Sequence, residues 1–318
     1  MNLLSRRQFV ATGAAFAAAL PIALAVTRRI KVAFLGTAYS HYAEKHKVLS
    51  ASPDWYLVAY SDAEVIVIES DVPHHGRDAL RALTDGRHVH IEKPPASTLD
   101  DMRRIVQLVR EKNRLLQVGY QWRYNPGFEK ILEAARNNWL GDIFQVRANM
   151  HTRLEEDRRA EWAGLPGGSM FEQGSHLIDP IIRLLGRPKS VKPFLQRRGN
   201  DALSDNNVAV FEFDKALAIV TNSVLQPNAN AHRAFEVAGS NGTAVLGPIE
   251  PPTLTIDLAK AAGPYRAGTQ TVALPPYQRY VRDFADFAAA VRGDKSLPTS
   301  LDQELLVQEW LLKACGVE

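Results

Sequence analysis

The chain is predicted to pair a doubly wound parallel α/β sheet with a second, α+β domain built on an open, mostly antiparallel sheet. Three observations predict this. At 318 residues it is too long for one compact core. Short apolar runs alternate with helical patterns up to about residue 122, and beyond that point strand-like runs succeed one another with short turns and little helix between them.

Residues 1–25 read as a processing signal. Ser5-Arg6-Arg7-Gln8-Phe9-Val10 is a twin-arginine box, an alanine-rich apolar stretch follows over 11–25, and Ala23-Leu24-Ala25 offers a small-x-small cleavage site before Val26. The alternatives are an uncleaved tether, since residues 9–25 fall only slightly short of a membrane span, and a chance pattern. The expectation is periplasmic export by the twin-arginine machinery, which carries folded proteins with a cofactor already inserted.

Ile30-Lys31-Val32-Ala33-Phe34-Leu35, bounded by Gly36, is the first buried parallel strand. Residues 38–50 carry a helical pattern. Strand two is Trp55-Tyr56-Leu57-Val58-Ala59-Tyr60, closing at Asp62, and strand three is Val65-Ile66-Val67-Ile68. A helix over 74–85 leads into strand four, His88-Val89-His90-Ile91. Ser97-Thr98-Leu99-Asp100 reads as a capping box for a helix over 98–112, with a fifth strand over 115–119. From about residue 126 the pattern gives an amphipathic helix over 127–138, a long strand over 142–151 and a helix over 169–185. Pro180 should kink or break that last helix after Asp179. Strands around 190–197, 207–213, 217–224 and 233–238 follow, Asn241-Gly242 marks a turn, and helices over 276–292 and 300–314 close the chain.

Composition excludes several classes. The net charge of +3 drops to +1 without the leader's Arg6 and Arg7, so nothing argues for nucleic acid or an anionic membrane as partner. A single cysteine, Cys315, rules out an intramolecular disulfide framework and a thiolate metal cluster, and reads as a small apolar residue of the terminal helix.

Chemistry concentrates in three places. The turn Gly36-Thr37-Ala38-Tyr39-Ser40-His41 joins strand one to helix one, where backbone amides of Gly36, Thr37, Ala38, Ser40 and His41 could hold a pyrophosphate. Only the first glycine of G-x-G-x-x-G is present, so a plain tight turn fits as well. Asp62 either accepts from adenosine ribose hydroxyls, which would favour NAD over NADP, or caps a helix. Glu69, Ser70 and Glu92, at strand ends, are counted with the expected cofactor-binding residues, although Glu92 points the other way from Lys93 if strand geometry persists. Lys93 follows strand four and precedes Pro94-Pro95, two residues that restrict its backbone; in a cleft it would polarise a carbonyl or hydroxyl oxygen, and on a surface it would merely pair.

Glu172 and His176 are spaced i, i+4 and share a helix face. His176 could take a hydroxyl proton while Glu172 orients it or holds a second hydroxyl; a capped helix with a satisfied histidine has the same spacing. The Gly167-Gly168 start allows close backbone approach. Trp122, Arg123 and Tyr124, after the last parallel strand, and Trp162 further on, could stack on or clamp a sugar ring, or simply pack. Glu172 and His176 with His74 and His75 could gather round a metal, but nothing in their spacing demands one and none is predicted.

Together Glu92-Lys93-Pro94 and Gly167…His176…Asp179 resemble the Gfo/Idh/MocA family, named for glucose–fructose oxidoreductase, inositol dehydrogenase and a rhizopine-catabolism protein; the resemblance spans roughly residues 30–315. It implies a Rossmann domain over 26–122, then a substrate and oligomerisation domain over 123–318. It also implies NAD or NADP, and hydride exchange at a carbon of a sugar, polyol or glycoside. By the same resemblance Lys93 and His176 are the catalytic pair, Glu172 stands where the family usually has aspartate, and the second sheet is a homo-oligomer face. The family's exported branch keeps its nicotinamide bound. Two departures stand out. The helix–strand–helix usual between positions like Asp62 and Val65 is missing, leaving strand two at the sheet edge, and Glu69-Ser70-Asp71 replaces Ala-Thr-Pro. The competing expectation is a catalytically silent carbohydrate-binding or assembly protein with a degenerate nucleotide site.

Overall fold

The computed structural model describes residues 28–317. The leader and its twin-arginine box lie outside the described residues. Two sheets organise the chain. The first is parallel and runs in the order β2-β1-β3-β4-β5, from β1 (Ile30–Leu35), β2 (Trp55–Leu57), β3 (Val65–Ile68), β4 (His88–Ile91) and β5 (Leu116–Val118). Helices α1 (Tyr42–Ala51), α2 (His75–Thr84) and α3 (Leu99–Glu111) alternate with these strands. Met102, Ile105, Val106 and Val109 fall on one face of α3 and are buried against the sheet. Thr98 caps α3 by accepting from Asp101 N, one residue later than the capping box read from the sequence.

β2 is only three residues long and lies at the sheet edge. A short link over 58–64 returns the chain past β1 to β3. The hydrogen bond from Glu64 N to Lys31 O and the contacts of Arg87 with Ser61 O and Ala63 O put that link at the amino end of the sheet.

The second unit follows with α4 (Pro126–Arg136), β6 (Ile143–His151), α5 (Arg159–Ala163) and α6 (Ser175–Leu185), then β7 (Ser190–Gln196), β8 (Asn206–Glu212), β9 (Leu217–Ser223), β10 (Ala234–Gly239), β11 (Gly242–Leu246), β12 (Leu254–Leu258) and β13 (Gly268–Val272). These eight strands order as β13-β12-β11-β10-β6-β9-β8-β7, every pair antiparallel except β6 with β9. The last three strands were not read from the sequence. α6 runs on through Pro180, contrary to the expected break; the irregular turn precedes it, as a π-helix over Met170–Gly174.

α7 (Val281–Arg292) begins five residues later than expected, because the prolines at 275 and 276 and the left-handed backbone of Tyr280 (φ 66°) keep the preceding segment out of a helix. α8 (Leu301–Ala314) closes the fold with Ser300 as its cap and Cys315 buried behind it. α7 does not stay with the second sheet. Phe284, Phe287 and Ala288, with Tyr280, pack on Ile30, Val32, Trp55, Val65 and Val67, so the C-terminal segment covers one face of the N-terminal sheet. The other face, through Ile66, Ile68, Val89 and Ile91, packs on α2 and α3.

Candidate active site

The carboxyl ends of β1, β3 and β4 converge on one region. Gly36 ends β1 with φ +84°, and a Cβ there would stand 2.5 Å from Ser70 N, so only glycine lets this turn close on the end of β3. Thr37, Ala38 and Ser40 are exposed, while Tyr39 N is tied to Glu69 O at 3.0 Å.

Below the turn lies a buried charge cluster. Lys45 and Leu49 are the buried residues of α1, and the Lys45 ammonium sits among Glu69 Oε1 at 2.6 Å, His90 Nε2 at 3.1 Å and Glu92 Oε1. Those three side chains have the spacing of a metal-ligand set, and the lysine occupies its centre. His41 Nδ1 lies 3.1 Å from Glu92 Oε1, and Lys93 N donates to Glu92 Oε2 at 3.0 Å. Burial, with the charge of Glu92 adding and Lys45 opposing, pushes Glu69 up to about 8; burial and Lys45 push His90 down to about 3. Lys45 is held above its ordinary range by both carboxylates. Lys45 is thus the common partner of both glutamates in this pocket. Glu69 and Glu92, expected to face a cofactor, are instead consumed inside the protein, because an unpaired buried ammonium would cost more than it gains.

Beside this cluster is a second constellation. Lys93 is buried after β4, before a cis Lys93–Pro94 bond, and its Nζ donates to Glu172 Oε1 at 2.5 Å and Glu172 O at 3.2 Å. Tyr39 OH donates to the same Glu172 oxygen and reaches Lys93 O at 3.3 Å. Burial and the nearby carboxylates hold the Tyr39 phenol well above its usual value, so it remains a donor. His176, on the first turn of α6, is buried with Nδ1 unpartnered, and its ring lies 4.9 Å from that of Trp122. Burial, then the Lys93 ammonium, pushes its pKa well below the ordinary histidine range. The imidazole is neutral at physiological pH and can accept a proton. Residues from the β1–α1 turn, the end of β4, the π-turn and α6 thus meet at one point.

Other predicted residues are not brought there. Asp62 is exposed at the amino end of the sheet, because the 58–64 link turns down before β3, and it cannot reach a ligand on the Gly36 turn. Arg123 is buried with its fork committed to Asp179 (2.7 Å) and Glu304 (2.5 Å), four of its five N–H donors being taken up inside the protein. Tyr124 faces Gln117 and the Arg282 guanidinium, and Trp162 is covered by Arg158. Trp122 alone of the aromatic set meets the cluster, its ring tilted at 40° over that of His176. Ser70 lies at the Gly36 turn, but its carbonyl is held by His75, which also bonds Pro94 O and so ties the loops after β3 and β4 together. Gly167 and Gly168 open onto Cys315 and Ser204 rather than onto the site, and serve packing.

Lys45, His90, Gln117 and Tyr39 escaped the sequence reading. A lysine spaced i, i+4 with Leu49, opposite two strand-end glutamates, was the signal for the first.

The residues present fit the pyrophosphate end of a dinucleotide: an exposed turn ahead of α1, closed on β3 by Gly36, with Lys93 and His176 beyond it. The adenosine end is less furnished, since β2 stops at Leu57, level with Val32 and short of the Leu35 end of β1.

Comparison with known proteins accords with this layout. Residues 19–120 match the family model of an oxidoreductase family with an NAD-binding Rossmann fold, and residues 128–245 match the GFO/IDH/MocA C-terminal domain. An uncharacterized oxidoreductase of Schizosaccharomyces pombe is 32% identical over 143 residues, covering 44% of this chain and 38% of that protein. The scyllo-inositol 2-dehydrogenase (NADP(+)) of Bacillus subtilis is 26% identical over 183 residues, covering 57% and 51%. The chain thus spans about half or less of the length of these relatives. The fold is shared with a solved structure from Desulfitobacterium hafniense, described as a putative NADPH-dependent oxidoreductase, at TM-score 0.80 and 18% identity over 91% of this chain and 95% of that one. Two sheets in this order, a glycine turn after β1 and matches to both domain models place the chain in the Gfo/Idh/MocA oxidoreductase family.

Proposed function

We propose that the protein is an exported NAD(P)-dependent oxidoreductase that moves a hydride at a hydroxyl-bearing carbon of a sugar, polyol or glycoside. The observation that carries this reading is the meeting of Lys93, Glu172 and a neutral His176 beside the Gly36 turn. The bound nicotinamide would supply the hydride acceptor. His176 takes the hydroxyl proton on an unpartnered ring nitrogen, and the Lys93 ammonium holds the oxygen as it gains carbonyl character. Glu172 fixes the ammonium, with Tyr39 donating to it from the turn that the dinucleotide would contact. A polyol substrate is supported by the scyllo-inositol dehydrogenase relative, and export by the twin-arginine box and apolar stretch ahead of Val26. Without free dinucleotide outside the cytoplasm, a retained cofactor cycling through oxidation and re-reduction suits such an enzyme. The edge position of β2 supports a shortened first half of the Rossmann unit. Assembly as a homo-oligomer belongs to the same reading.

One set of observations favours a silent carbohydrate-binding or assembly protein instead: Asp62 is remote, and Glu69 and Glu92 are spent on Lys45. Acid denaturation of the purified chain from Val26, with mass spectrometry of the supernatant, decides between them. Stoichiometric nicotinamide dinucleotide, NAD or NADP, is the expected result. A protein that releases none and takes up no NAD(H) in calorimetry is the binding protein.

A further inference from the structure

We propose that a cavity between α4, α6 and α7 binds a small molecule carrying a tetrahedral oxyanion, held by Arg136 and Arg183. The cavity has a volume of about 280 Å³ and lies between the inner ends of these helices and Pro298. α4 presents Glu129 and Arg136 to it from one face, seven residues apart, α6 presents Arg183, and α7 presents Arg282 and Asp286. Four guanidinia converge there, and the partners of each decide what the site can hold. Arg123 is held between two carboxylates, Asp179 and Glu304, Arg282 is paired with Glu129 at 2.8 and 2.9 Å, and Asp286 already accepts from Lys295 at 2.5 Å. Among the described residues the side chains of Arg136 and Arg183 have no hydrogen-bond or ion-pair partner within reach. The cavity is left with two guanidinia that have no direct acceptor, Asp179 and Glu304 of the Arg123 cluster being the countercharges nearest to Arg183.

Arg183 is half-buried; burial disfavours its charge, Asp179 and Glu304 in part oppose this, and the neighbouring guanidinia of Arg123 and Arg136 add to the burial effect. A guanidinium keeps its proton nonetheless, so it remains a desolvated fork of donors without an acceptor. A phosphate or sulfate oxygen pair matches that fork, and two such forks on separate helices are suited to one dianion. The volume exceeds a bare oxyanion, and Leu132 and Tyr124 add apolar wall, so an ester on a short carbon chain fits better than the free ion. His176 is on the opposite end of α6, about two helical turns away, so this site is distinct from the proposed reaction centre and does not depend on it.

The full chain should be titrated with inorganic phosphate and with glycerol 3-phosphate by calorimetry and thermal melting, against chloride at matched ionic strength. Both probes should bind and raise the melting temperature. Tighter binding of the ester would identify a phosphorylated small molecule as the source, and equal binding a free oxyanion. Arg136→Gln, an exposed change, and Arg183→Gln should each weaken binding about ten-fold or more, while Arg183→Lys should retain part of it. Lys192→Gln, on the exposed face of β7, should leave it unchanged. Absence of binding by both probes, or equal affinity in native, Arg136→Gln and Arg183→Gln proteins, overturns the proposal.

Discussion

Lys93 and His176 differ in how much of their role their own neighbourhood determines. His176 is kept neutral by burial and by Lys93. Its protonation should therefore not limit the rate at ordinary histidine pH values. If the chain oxidises a polyol, the acid limb of kcat/KM should lie below pH 6.5, and a limb centred on that ordinary value would show a solvated imidazole. Replacing His176 with asparagine should lower kcat by a factor of about 10² to 10⁴, the usual span for a lost general base. Tyr39→Phe removes one donor from Glu172 and should cost about ten-fold in kcat/KM or less, near 1 kcal/mol, with KM for the dinucleotide changing too because the turn carries the residue. Lys93 and His176 were legible from local context, a lysine fixed before two prolines and a histidine four residues after an acid. Their meeting was not. It depends on the π-turn and the end of β4 being brought together from 79 residues apart (Lys93 to Glu172), and no spacing in the sequence encodes that. Arg123 was misread for a related reason: its acceptors, Asp179 and Glu304, lie far along the chain.

At the scale of elements, α1 shows how a buried cation organises strand ends. Lys45→Met should destabilise the fold by about 3–5 kcal/mol, since two glutamates and a histidine would lose the centre they surround. Adding Glu69→Gln and Glu92→Gln should recover much of that loss, and urea titrations of the three proteins would measure it. The same cluster sets a pH dependence. His90 and His88, pushed by burial to about 3 and about 4, bind protons in the unfolded chain below pH 6.5 and not in the fold, so stability falls as pH drops through that range. Glu69 and Asp283, raised to about 8 and about 7, act in the opposite sense: they keep protons that the unfolded chain releases above its ordinary carboxyl range, and stability falls as pH rises to 8. The two trends oppose each other between about pH 4.5 and 6.5 and leave only the carboxyls above that. On these four groups stability should be nearly flat around pH 5 and fall from about pH 6 to 8, and Glu69→Gln, which still accepts from Lys45, should flatten that fall in melts from pH 5 to 9. An unchanged slope in the variant would remove Glu69 as its cause. The elements themselves were readable wherever apolar period and caps agreed, as for α3 and the first five strands. β11 to β13 are hard to read because each is only five residues long and proline-containing links separate them, and the apolar spacing ahead of α7 continues across a segment that Pro275, Pro276 and Tyr280 keep out of the helix.

For the whole molecule, the sequence suggests a boundary near residue 122, where the alternation of strands and helices ends, but packing does not respect it. Burial of Phe284 and Phe287 against Trp55, His90 and the β1–β3 face ties the last quarter of the chain to the first sheet, each ring contributing roughly 1.5–3 kcal/mol of apolar burial. A chain cut to residues 26–122 would present Ile30, Val32, Val65 and Val67 to water with only α1 for cover. Such a fragment should retain helical circular dichroism but melt without a cooperative transition and bind a hydrophobic dye, whereas the full chain should do neither. The complementary change is Phe287→Ala in the full chain, expected to cost about 3–5 kcal/mol because the ring is fully enclosed. It lies away from Lys93 and His176, so it should lower the melting temperature while leaving dinucleotide affinity at low temperature close to native. If instead the fragment folds cooperatively by itself, α7 is an accessory cover. If it does not, the turn that would hold the pyrophosphate can be assembled only after the C-terminal helices have been made, and binding of the dinucleotide reports completion of the whole chain.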